Sequence, residues 1–347
     1  MTEGSARRRA LRPIAVVGAG SWGTALAIHL ARQGRPTRLW ARDRGLASEV
    51  ATRGENARYL AGLALPPDIR VTADAREALA GARIVVVAVP SHGFAAVVAG
   101  LCGAIPGDAA IVSATKGLEP ETRRRMSEVL AELLPGREVA VLSGPSFARE
   151  VALGQPAALV VAAADPAVGH RVQQALASPS FRLYTNSDVV GVELGGALKN
   201  VVAIATGISD SLGLGENARA ALITRGLAEI ARLGVALGAR PETFAGLAGL
   251  GDLVLTCAGS LSRNRALGLA VGAGRSVAEA EGTTPMVAEG VRTVLSAVTL
   301  GRAAGVSLPI SEEVAAILFL RKSARDALAA ILARDLRPET EAAGLSR

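Results

Sequence analysis

Short apolar runs, rich in β-branched residues, alternate with segments of helical periodicity through the first half of the chain. The runs are Ile14–Val17, Thr37–Trp40, Ile84–Val89, Ala109–Ser113, Val139–Leu142, Leu159–Ala162 and Phe181–Thr185. Helices are predicted over Thr24–Gln33, Glu121–Leu134 and Pro166–Ala177. This alternation predicts an α/β fold in which crossover helices cover a mostly parallel sheet.

The pattern changes near residues 186–195. Asp188 is a natural helix N-cap, and from there to about Ala333 the periodicity is helical, with Gly-rich loops and no convincing strand. A chain of 347 residues also exceeds the usual size of one hydrophobic core. We therefore predict a flexible basic tail over residues 1–12, an α/β domain over 13–190 and an all-α domain over 191–347.

The charge and the cysteines limit the possible partners and surroundings. The net charge is +7, but its two basic runs, Arg7–Arg9 and Arg123–Arg125, carry no interleaved aromatic residues for base stacking. We expect them to be solvated, with no nucleic-acid partner. Cys102 and Cys257 are too few and too far apart for a disulfide framework or a metal site, which favours a reducing, cytoplasmic location.

No membrane span or secretory signal is predicted. The longest stretch without charged residues, Ile84–Gly107, contains two prolines and a His-Gly pair that divide it into a strand, a turn and a helix. The apolar segment after the basic tail is short and has the pattern of a strand.

The segment Ile14–Gly23 contains a G-x-G-x-x-G motif directly between a predicted strand and a predicted helix. Gly18 permits the tight turn, Gly20 lets the backbone approach a pyrophosphate, and Gly23 lets the helix pack close to the strand. The helix N-terminus then presents unpaired N–H groups to the phosphates. The first domain is therefore predicted to be a Rossmann-type domain that binds NAD(P).

The end of the second strand bears on the choice between NADH and NADPH. An acidic residue about twenty positions after the motif binds the ribose 2′-hydroxyl of NAD, whereas an arginine there accommodates the 2′-phosphate of NADP. Both types are present, as Arg42 and Asp43. We expect NADPH to be accepted and favoured through Arg42; alternatively, Asp43 forms a surface salt bridge with Arg42 or Arg44.

Polar residues follow three of the predicted strands at the edge where ligands bind in such sheets. They lie in the segments Val89–His92, Ser113–Gly117 and Leu142–Phe147. Lys116 and Ser146 are placed to reach a phosphorylated substrate or the nicotinamide, although serine, glycine and proline are also ordinary loop residues. For His92 we favour the structural interpretation, because the sequence supplies it with no partner.

Lys199 lies in an apolar helical segment whose neighbours at three and four positions are Gly195, Gly196, Val202 and Ala203. Each glycine inside a helix lowers its stability by about 1 kcal/mol relative to alanine. Two such glycines therefore suggest that another group must pack closely against the helix at this point. Burial of a lysine lowers its pKa towards the range useful for acid/base catalysis. Lys199 is thus the candidate proton donor for carbonyl reduction; the alternative is a lysine that reaches solvent or pairs with a carboxylate.

A candidate anion site follows a glycine-rich segment. Ser262 is a natural N-cap, which puts Arg263 and Asn264 in the first helical turn, where a cation is unfavourable unless an anion binds. Arg263 would then donate charge-assisted hydrogen bonds to a phosphate. Asp252, expected on a loop, either orients Lys199, accepts a substrate hydroxyl, or caps a helix or turn.

Together these segments resemble the NAD(P)-dependent glycerol-3-phosphate dehydrogenases of bacterial type, from Ile14 to about Leu332. The motifs that carry the resemblance, in the family's order, are Gly18–Gly23, Thr115–Gly117, Ser143–Ala148, Leu198–Asn200, Gly249–Leu253, Ser262–Arg265 and Val287–Gly290. The resemblance implies that Lys199 is the proton donor and acceptor. It also implies substrate contacts by Lys116, Gly144, Ser146, Asp252, Ser262, Arg263 and Asn264. Dinucleotide contacts are implied for Ser21, Trp22, Arg42, Ala148, Val287 and Glu289, with Tyr59, Lys116 and Arg263 as further candidates.

The expected function is the reversible reduction of dihydroxyacetone phosphate to sn-glycerol 3-phosphate by NADPH or NADH, which supplies the glycerol phosphate backbone for phospholipid synthesis. Lys116 is expected to support the developing alkoxide as a second catalytic residue. The resemblance favours a homodimer. Two alternatives are a related two-domain dehydrogenase for another small acid, such as a β-hydroxyacid or ketopantoate, and a non-catalytic dinucleotide-binding redox sensor.

Overall fold

The computed structural model describes residues 12–282, 288–336 and 338–339. The predicted basic tail lies outside these residues, apart from Arg12. Val287, expected to contact the dinucleotide, also lies outside them.

The first part of the chain forms an eight-stranded sheet. Its strands are β1 Ile14–Val17, β2 Thr37–Trp40, β3 Ile69–Thr72, β4 Ile84–Val87, β5 Ala110–Ser113, β6 Val139–Ser143, β7 Ala157–Ala162 and β8 Phe181–Asn186. They lie in the order β3-β2-β1-β4-β5-β6-β7-β8, and all neighbours are parallel except β6 and β7. The strand order reverses at β1, which lies between β2 and β4; in open α/β sheets this is where ligands bind.

Helices cover both faces of the sheet. They are α1 Ser21–Arg32, α2 Arg44–Arg53, α3 Ala57–Leu60, α4 Ala75–Leu79, α5 Ser91–Leu101, α6 Met126–Leu133, α7 Ala148–Leu153 and α8 Pro166–Leu176. Alternate residues of β1 enter different clusters of the core: Ile14 and Val16 pack on one face of the sheet, Ala15 and Val17 on the other. A strand buried on both faces needs a continuous apolar sequence, which explains the Val-rich runs.

The rest of the described chain is helical and contains no strand. Its helices are α9 Val189–Ser211, α10 Gly215–Ala236, α11 Pro241–Phe244, α12 Asp252–Ala258, α13 Arg263–Gly272, α14 Val277–Glu281, α15 Gly290–Ala303, α16 Pro309–Leu320 and α17 Ala324–Leu332. A π-helical turn, Leu247–Gly251, leads into α12. This architecture confirms the predicted fold class. The predicted domain boundary after residue 190 falls in the first turn of α9.

Helix α9 is the centre of the helical part and is almost entirely buried. The helix is long and apolar enough to cross a membrane, but 89% of its most apolar 18-residue segment is buried inside the fold. Its apolar character is therefore explained by the helices and strands packed around it.

Two features of the α/β part differ from the prediction. The helix expected from Glu121 begins at Met126, because the preceding residues form a turn in which Arg123 has a φ of +62° and Leu118 pairs with Arg125 in a β-bridge. Strand β3 was not predicted: it is a short edge strand that pairs only with β2. Its sequence, Ile-Arg-Val-Thr, lacks the apolar continuity of the buried strands.

Candidate active site

The three glycines of the turn between β1 and α1 have different structural roles. Gly18 has a φ of +110°, and a Cβ there would lie 2.6 Å from the carbonyl oxygen of Ala88. A Cβ on Gly23 would lie 1.8 Å from the carbonyl oxygen of Gly18. A Cβ on Gly20 would meet nothing within 4 Å. The backbone at Gly20 therefore faces open space at the N-terminus of α1, an arrangement that fits a dinucleotide pyrophosphate.

The residues around this turn include one that the sequence did not reveal. The buried amide of Asn56 donates hydrogen bonds to the Ala19 carbonyl oxygen at 2.9 Å and to the Thr24 hydroxyl at 2.8 Å. Asn56 therefore holds both sides of the turn and also caps α3, which carries the half-buried Tyr59. The Nε1 atom of Trp22, at the start of α1, is buried without a hydrogen-bond partner among the described residues.

The two residues after β2 that bear on cofactor choice have separate roles. Asp43 caps α2 by accepting hydrogen bonds from the backbone N–H groups of Gly45 and Leu46, and its other oxygen lies 3.9 Å from Arg58. The alternative pairing of Asp43 with Arg42 or Arg44 is therefore not observed. Arg42 is exposed at the end of β2.

Lys199 is buried in the middle of α9. Its ammonium donates hydrogen bonds to the Asp252 carboxylate and, at 2.7 Å, to the hydroxyl of Thr256. Burial lowers the pKa of Lys199 to about 8, with Asp252 opposing the shift and Lys116 adding to it. A buried lysine with this pKa can hold or release a proton near neutral pH. The alternative of a solvent-reaching lysine is excluded, whereas pairing with a carboxylate is observed.

Lys116, in the loop after β5, binds the same Asp252 carboxylate as Lys199. Its ammonium donates hydrogen bonds to Asp252 Oδ2 at 2.8 Å, to the Gly144 carbonyl oxygen at 2.7 Å and to the Ser146 hydroxyl at 3.2 Å. Gly144, in the turn after β6, has a φ of +130°, a backbone conformation that glycine adopts more readily than other residues. The Lys116 side chain remains 18% exposed, compared with 7% for Lys199.

Asp252 joins the two lysines. Its side chain is 1% exposed, and each of its carboxylate oxygens accepts from a different lysine. Asp252 is the first residue of α12 rather than a loop residue, so the expectation of a loop was wrong. Thr256, one turn later on α12, accepts from Lys199 and donates to the Asp252 carbonyl oxygen at 2.6 Å. Thr256 was not among the predicted site residues, although its spacing from Asp252 puts both residues on one helix face.

The glycines beside Lys199 permit close packing within the protein. A Cβ on Gly195 would lie 2.6 Å from the Ala248 carbonyl oxygen, and one on Gly196 would lie 2.4 Å from the Ser143 hydroxyl. The close approach suggested by these glycines is therefore real, and it is made by β6 and by the π-helical turn. This packing holds α9 against the carboxyl end of β6, where Gly144 and Ser146 follow.

At the start of α13, the two arginines differ in their pairing. The Arg265 guanidinium is paired with Asp210 at 2.8 Å, whereas Arg263 is exposed and forms no ion pair within the described residues. Ser262 caps the helix by accepting from the backbone N–H of Arg265 at 3.2 Å. The N-terminus of α13 and the Arg263 guanidinium thus remain available to an anion.

Asn264 connects this helix end to the lysine site. Its amide donates to Asn200 Oδ1 at 2.8 Å and accepts from the backbone N–H of Gly290 at 3.0 Å. Asn200 directly follows Lys199 on α9. The N-terminal end of α13 and the buried lysine are therefore connected through adjacent residues of α9, Lys199 and Asn200.

Glu289 makes a contact between the helical part and the sheet. Its carboxylate accepts from the backbone N–H of Ser91 at 3.0 Å and from the Ser91 hydroxyl at 2.5 Å, at the N-terminus of α5. Gly117 leaves room for this contact, because a Cβ there would lie 2.8 Å from Ser91. Ala148 begins α7, which packs against α1. Ser91 lies in the polar segment Val89–His92 predicted at this edge, but its pairing with Glu289 could not be predicted from the sequence.

Comparisons with known proteins agree with this arrangement. The N-terminal and C-terminal profiles of the NAD-dependent glycerol-3-phosphate dehydrogenase family match residues 13–169 and 188–329. The glycerol-3-phosphate dehydrogenase (NAD(P)+) of Citrifermentans bemidjiense is 52% identical over 329 residues, which cover 94% of this chain and 98% of that protein. This chain belongs to the NAD-dependent glycerol-3-phosphate dehydrogenase family.

Solved structures of the glycerol-3-phosphate dehydrogenases share the fold over nearly the whole chain. The enzyme from Coxiella burnetii has a TM-score of 0.90 at 41% identity, covering 93% of this chain and 99% of that one. The enzyme from Saccharomyces cerevisiae has a TM-score of 0.79 at 27% identity, covering 92% and 99%. The resemblance noted from the sequence is thereby confirmed.

Proposed function

We propose that this chain catalyses the reversible NAD(P)H-dependent reduction of dihydroxyacetone phosphate to sn-glycerol 3-phosphate, the backbone unit of phospholipid synthesis. The observation that carries the proposal is the Asp252 carboxylate, which holds two lysines at the carboxyl ends of the strands. Carbonyl reduction to an alcohol requires one hydride and one proton, and it develops negative charge on the carbonyl oxygen. Two adjacent ammonium groups suit that charge.

Lys199 supplies the proton to the carbonyl oxygen as the carbonyl carbon is reduced, and it takes the proton back in the reverse direction. Its pKa of about 8 allows both states near neutral pH. Lys116 stabilises the developing alkoxide. Asp252 orients both lysines, and Thr256 fixes the Lys199 ammonium against the carboxylate.

The substrate phosphate binds at the N-terminus of α13. Arg263 and the helix N–H groups supply the positive charge, while Ser262 and Asn264 fix the end of the helix through their hydrogen bonds. Gly144 and Ser146 complete the substrate site beside Lys116. A phosphate site next to a proton donor favours a phosphorylated substrate over a β-hydroxyacid or ketopantoate.

The dinucleotide binds along the turn after β1. When bound, the reduced nicotinamide supplies the hydride. The backbone of Gly18, Gly20 and Gly23 with Ser21 and Trp22 forms the pyrophosphate end of this site. The remaining contacts proposed from the family resemblance are Arg42, Tyr59, Ala148, Val287 and Glu289, with Lys116 and Arg263 at the boundary with the substrate.

The decisive experiment measures the loss of reduced-cofactor absorbance with dihydroxyacetone phosphate, using NADPH and NADH in turn. Lys199→Ala should abolish nearly all turnover while dinucleotide binding persists. Dihydroxyacetone without its phosphate should be a poor substrate. If the folded protein bound the dinucleotide but reduced neither compound, the proposal would be overturned and a non-catalytic dinucleotide-binding sensor would replace it.

We further propose that the protein works in the cytoplasm as a homodimer, without a nucleic-acid partner. Cys102 and Cys257 are both free, in accord with a reducing compartment. The homodimer follows from the family resemblance. Light scattering on the purified protein tests it, and a monomeric mass that persists at high protein concentration would contradict it.

A further inference from the structure

Two arginines from different parts of the fold, Arg42 and Arg292, belong to segments that flank the dinucleotide turn. Arg42 follows β2, and His92 is the second residue of α5, which follows β4. Because β2 and β4 lie on either side of β1, Arg42 and His92 stand at the same edge of the sheet, around the turn that begins at Gly18. In this fold the adenosine half of the dinucleotide lies beside the end of β2.

Arg292 belongs to the helical part, near its contact with this edge of the sheet. Arg292 lies three residues after Glu289, in the first turn of α15, and the two residues are therefore on the same face of this helix. The hydrogen bonds from Ser91 to Glu289 fix that turn against the residue that precedes His92. Burial lowers the pKa of the His92 imidazole, the charges of Arg292 and Arg42 lower it further, and the charge of Glu289 opposes them.

The two guanidinium groups have no carboxylate partner within residues 12–282, 288–336 and 338–339. Arg42 is exposed, and Arg292 is half-buried. Elsewhere in the fold, buried acids are placed against arginines: Asp210 pairs with Arg219 and Arg265. Two unpaired guanidinium groups next to an imidazole form a cationic cluster that is suited to a phosphate monoester, which carries about −1.5 to −2 charges at pH 7.

We propose that Arg292 binds the 2′-phosphate of NADPH together with Arg42, and that it is a specificity-determining residue contributed by the helical part. The proposal deepens the proposed function and rests on it for the identity of the cofactor. It assigns the choice between NADPH and NADH to both parts of the fold.

Direct binding tests the proposal without turnover. Calorimetric titration compares adenosine 2′,5′-bisphosphate with adenosine 5′-monophosphate in the wild type, Arg292→Gln, Arg292→Lys and Arg302→Gln. Arg302 is the matched control, since it is exposed on the same helix and its replacement removes the same charge. Arg292→Gln should weaken binding of the bisphosphate about tenfold or more and leave the monophosphate within twofold. Arg292→Lys should retain part of the preference, and Arg302→Gln all of it.

Steady-state kinetics then follow the same variants with dihydroxyacetone phosphate. Arg292→Gln should lower kcat/KM for NADPH about tenfold, through KM, and leave the value for NADH within twofold. The proposal is overturned if both cofactors weaken equally, if the wild type binds the two adenosine nucleotides equally, or if Arg302→Gln has the same effect. Absence of turnover in the wild type would refute the proposed function, whereas the binding titrations would still decide the role of Arg292.

Discussion

The hydroxyl of Thr256 lies 2.7 Å from the ammonium nitrogen of Lys199, and it donates its own proton to the carbonyl oxygen of Asp252. The hydroxyl therefore acts as an acceptor towards Lys199. Together with the Asp252 carboxylate it offers the ammonium two acceptors in a site where the Lys199 side chain is only 7% exposed. Lys199 is consequently held in one orientation, with its pKa set by the balance between burial and Asp252.

The pH dependence of the reaction should report the ionisation of Lys199. Burial lowers the pKa of this ammonium to about 8, so kcat/KM for ketone reduction should fall as the pH rises above 8, because the proton donor is lost. Alcohol oxidation requires the neutral amine and should rise through the same pH. Lys199→Ala should lower the reduction rate by about 10²- to 10⁴-fold. Steady-state measurements of kcat/KM in both directions across pH 6–10 test this prediction.

Reduction and oxidation should respond to pH in opposite directions, and this difference tests the assignment of Lys199 as the proton donor. If Lys199 were exposed to solvent, neither the reduction rate nor the oxidation rate would change with pH near pH 8. If both directions showed the same pH dependence, Lys199 would not be the proton donor, and the ionisation of another group would control the rate.

Arg263 and Arg265 form a matched pair for testing the phosphate site. Arg263 is exposed and unpaired within the described chain, whereas Arg265 is neutralised by the largely buried Asp210. Arg263→Gln should raise KM for dihydroxyacetone phosphate tenfold or more, with little change in the melting temperature. Arg265→Gln removes the same charge but should mainly lower stability, by about 1–3 kcal/mol, because Asp210 loses one of its partners.

The comparison requires both thermal unfolding and substrate kinetics. Equal increases in KM for the two variants would show that general positive charge, rather than the position of Arg263, binds the phosphate.

Features encoded by neighbouring residues could be predicted from the sequence. The buried strands have continuous apolar runs, and the turn after β1 has glycines at fixed spacing, so both were found at nearly the correct positions. Lys199 was identified because its helical neighbours are glycines and apolar residues. In each case the physical cause lies within one or two helical turns or within one strand.

Features that depend on distant residues could not be predicted in this way. Lys116 and Asp252 are 136 residues apart and meet only through the fold. The bond between Ser91 and Glu289 spans 198 residues. The wrong helix start at Glu121 has a local origin instead: helical periodicity is present, but the pairing of Leu118 with Arg125, seven residues apart, imposes a turn.

Gly20 and Gly23 should respond differently to the same substitution. A Cβ at position 20 meets open space, so Gly20→Ala should leave stability unchanged and weaken dinucleotide binding about tenfold or more. A Cβ at position 23 would lie 1.8 Å from the Gly18 carbonyl oxygen, so Gly23→Ala should force α1 away from β1 and destabilise the fold by several kcal/mol. Chemical denaturation and fluorescence titration with NADPH separate the two effects. A loss of stability in Gly20→Ala would argue against the open space as the dinucleotide site.

Glu229 of α10 should make the stability of the fold depend on pH. Its buried carboxylate accepts from the backbone N–H groups of Ile310 at 2.6 Å and Ser311 at 3.2 Å, at the start of α16. Burial raises the pKa of Glu229 to about 7, with the hydrogen bonds from Ile310 and Ser311 and the charge of Arg232 opposing the shift. In the unfolded chain the pKa returns to its ordinary value of 4.5. The folded state thus binds a proton more tightly, and this contribution to stability is fully present below pH 4.5 and is lost as the pH rises through 7.

Glu229→Gln removes this titration. Between pH 5 and pH 8 the free energy of unfolding of the wild type should fall relative to that of Glu229→Gln by up to about 3 kcal/mol. Urea denaturation of both proteins across this range gives the difference directly, and exposed Glu121→Gln is the control, for which the difference should stay constant. A wild type that gained stability relative to Glu229→Gln with rising pH would show that the two N–H groups outweigh burial. Glu229 would then cap α16 as an ordinary carboxylate.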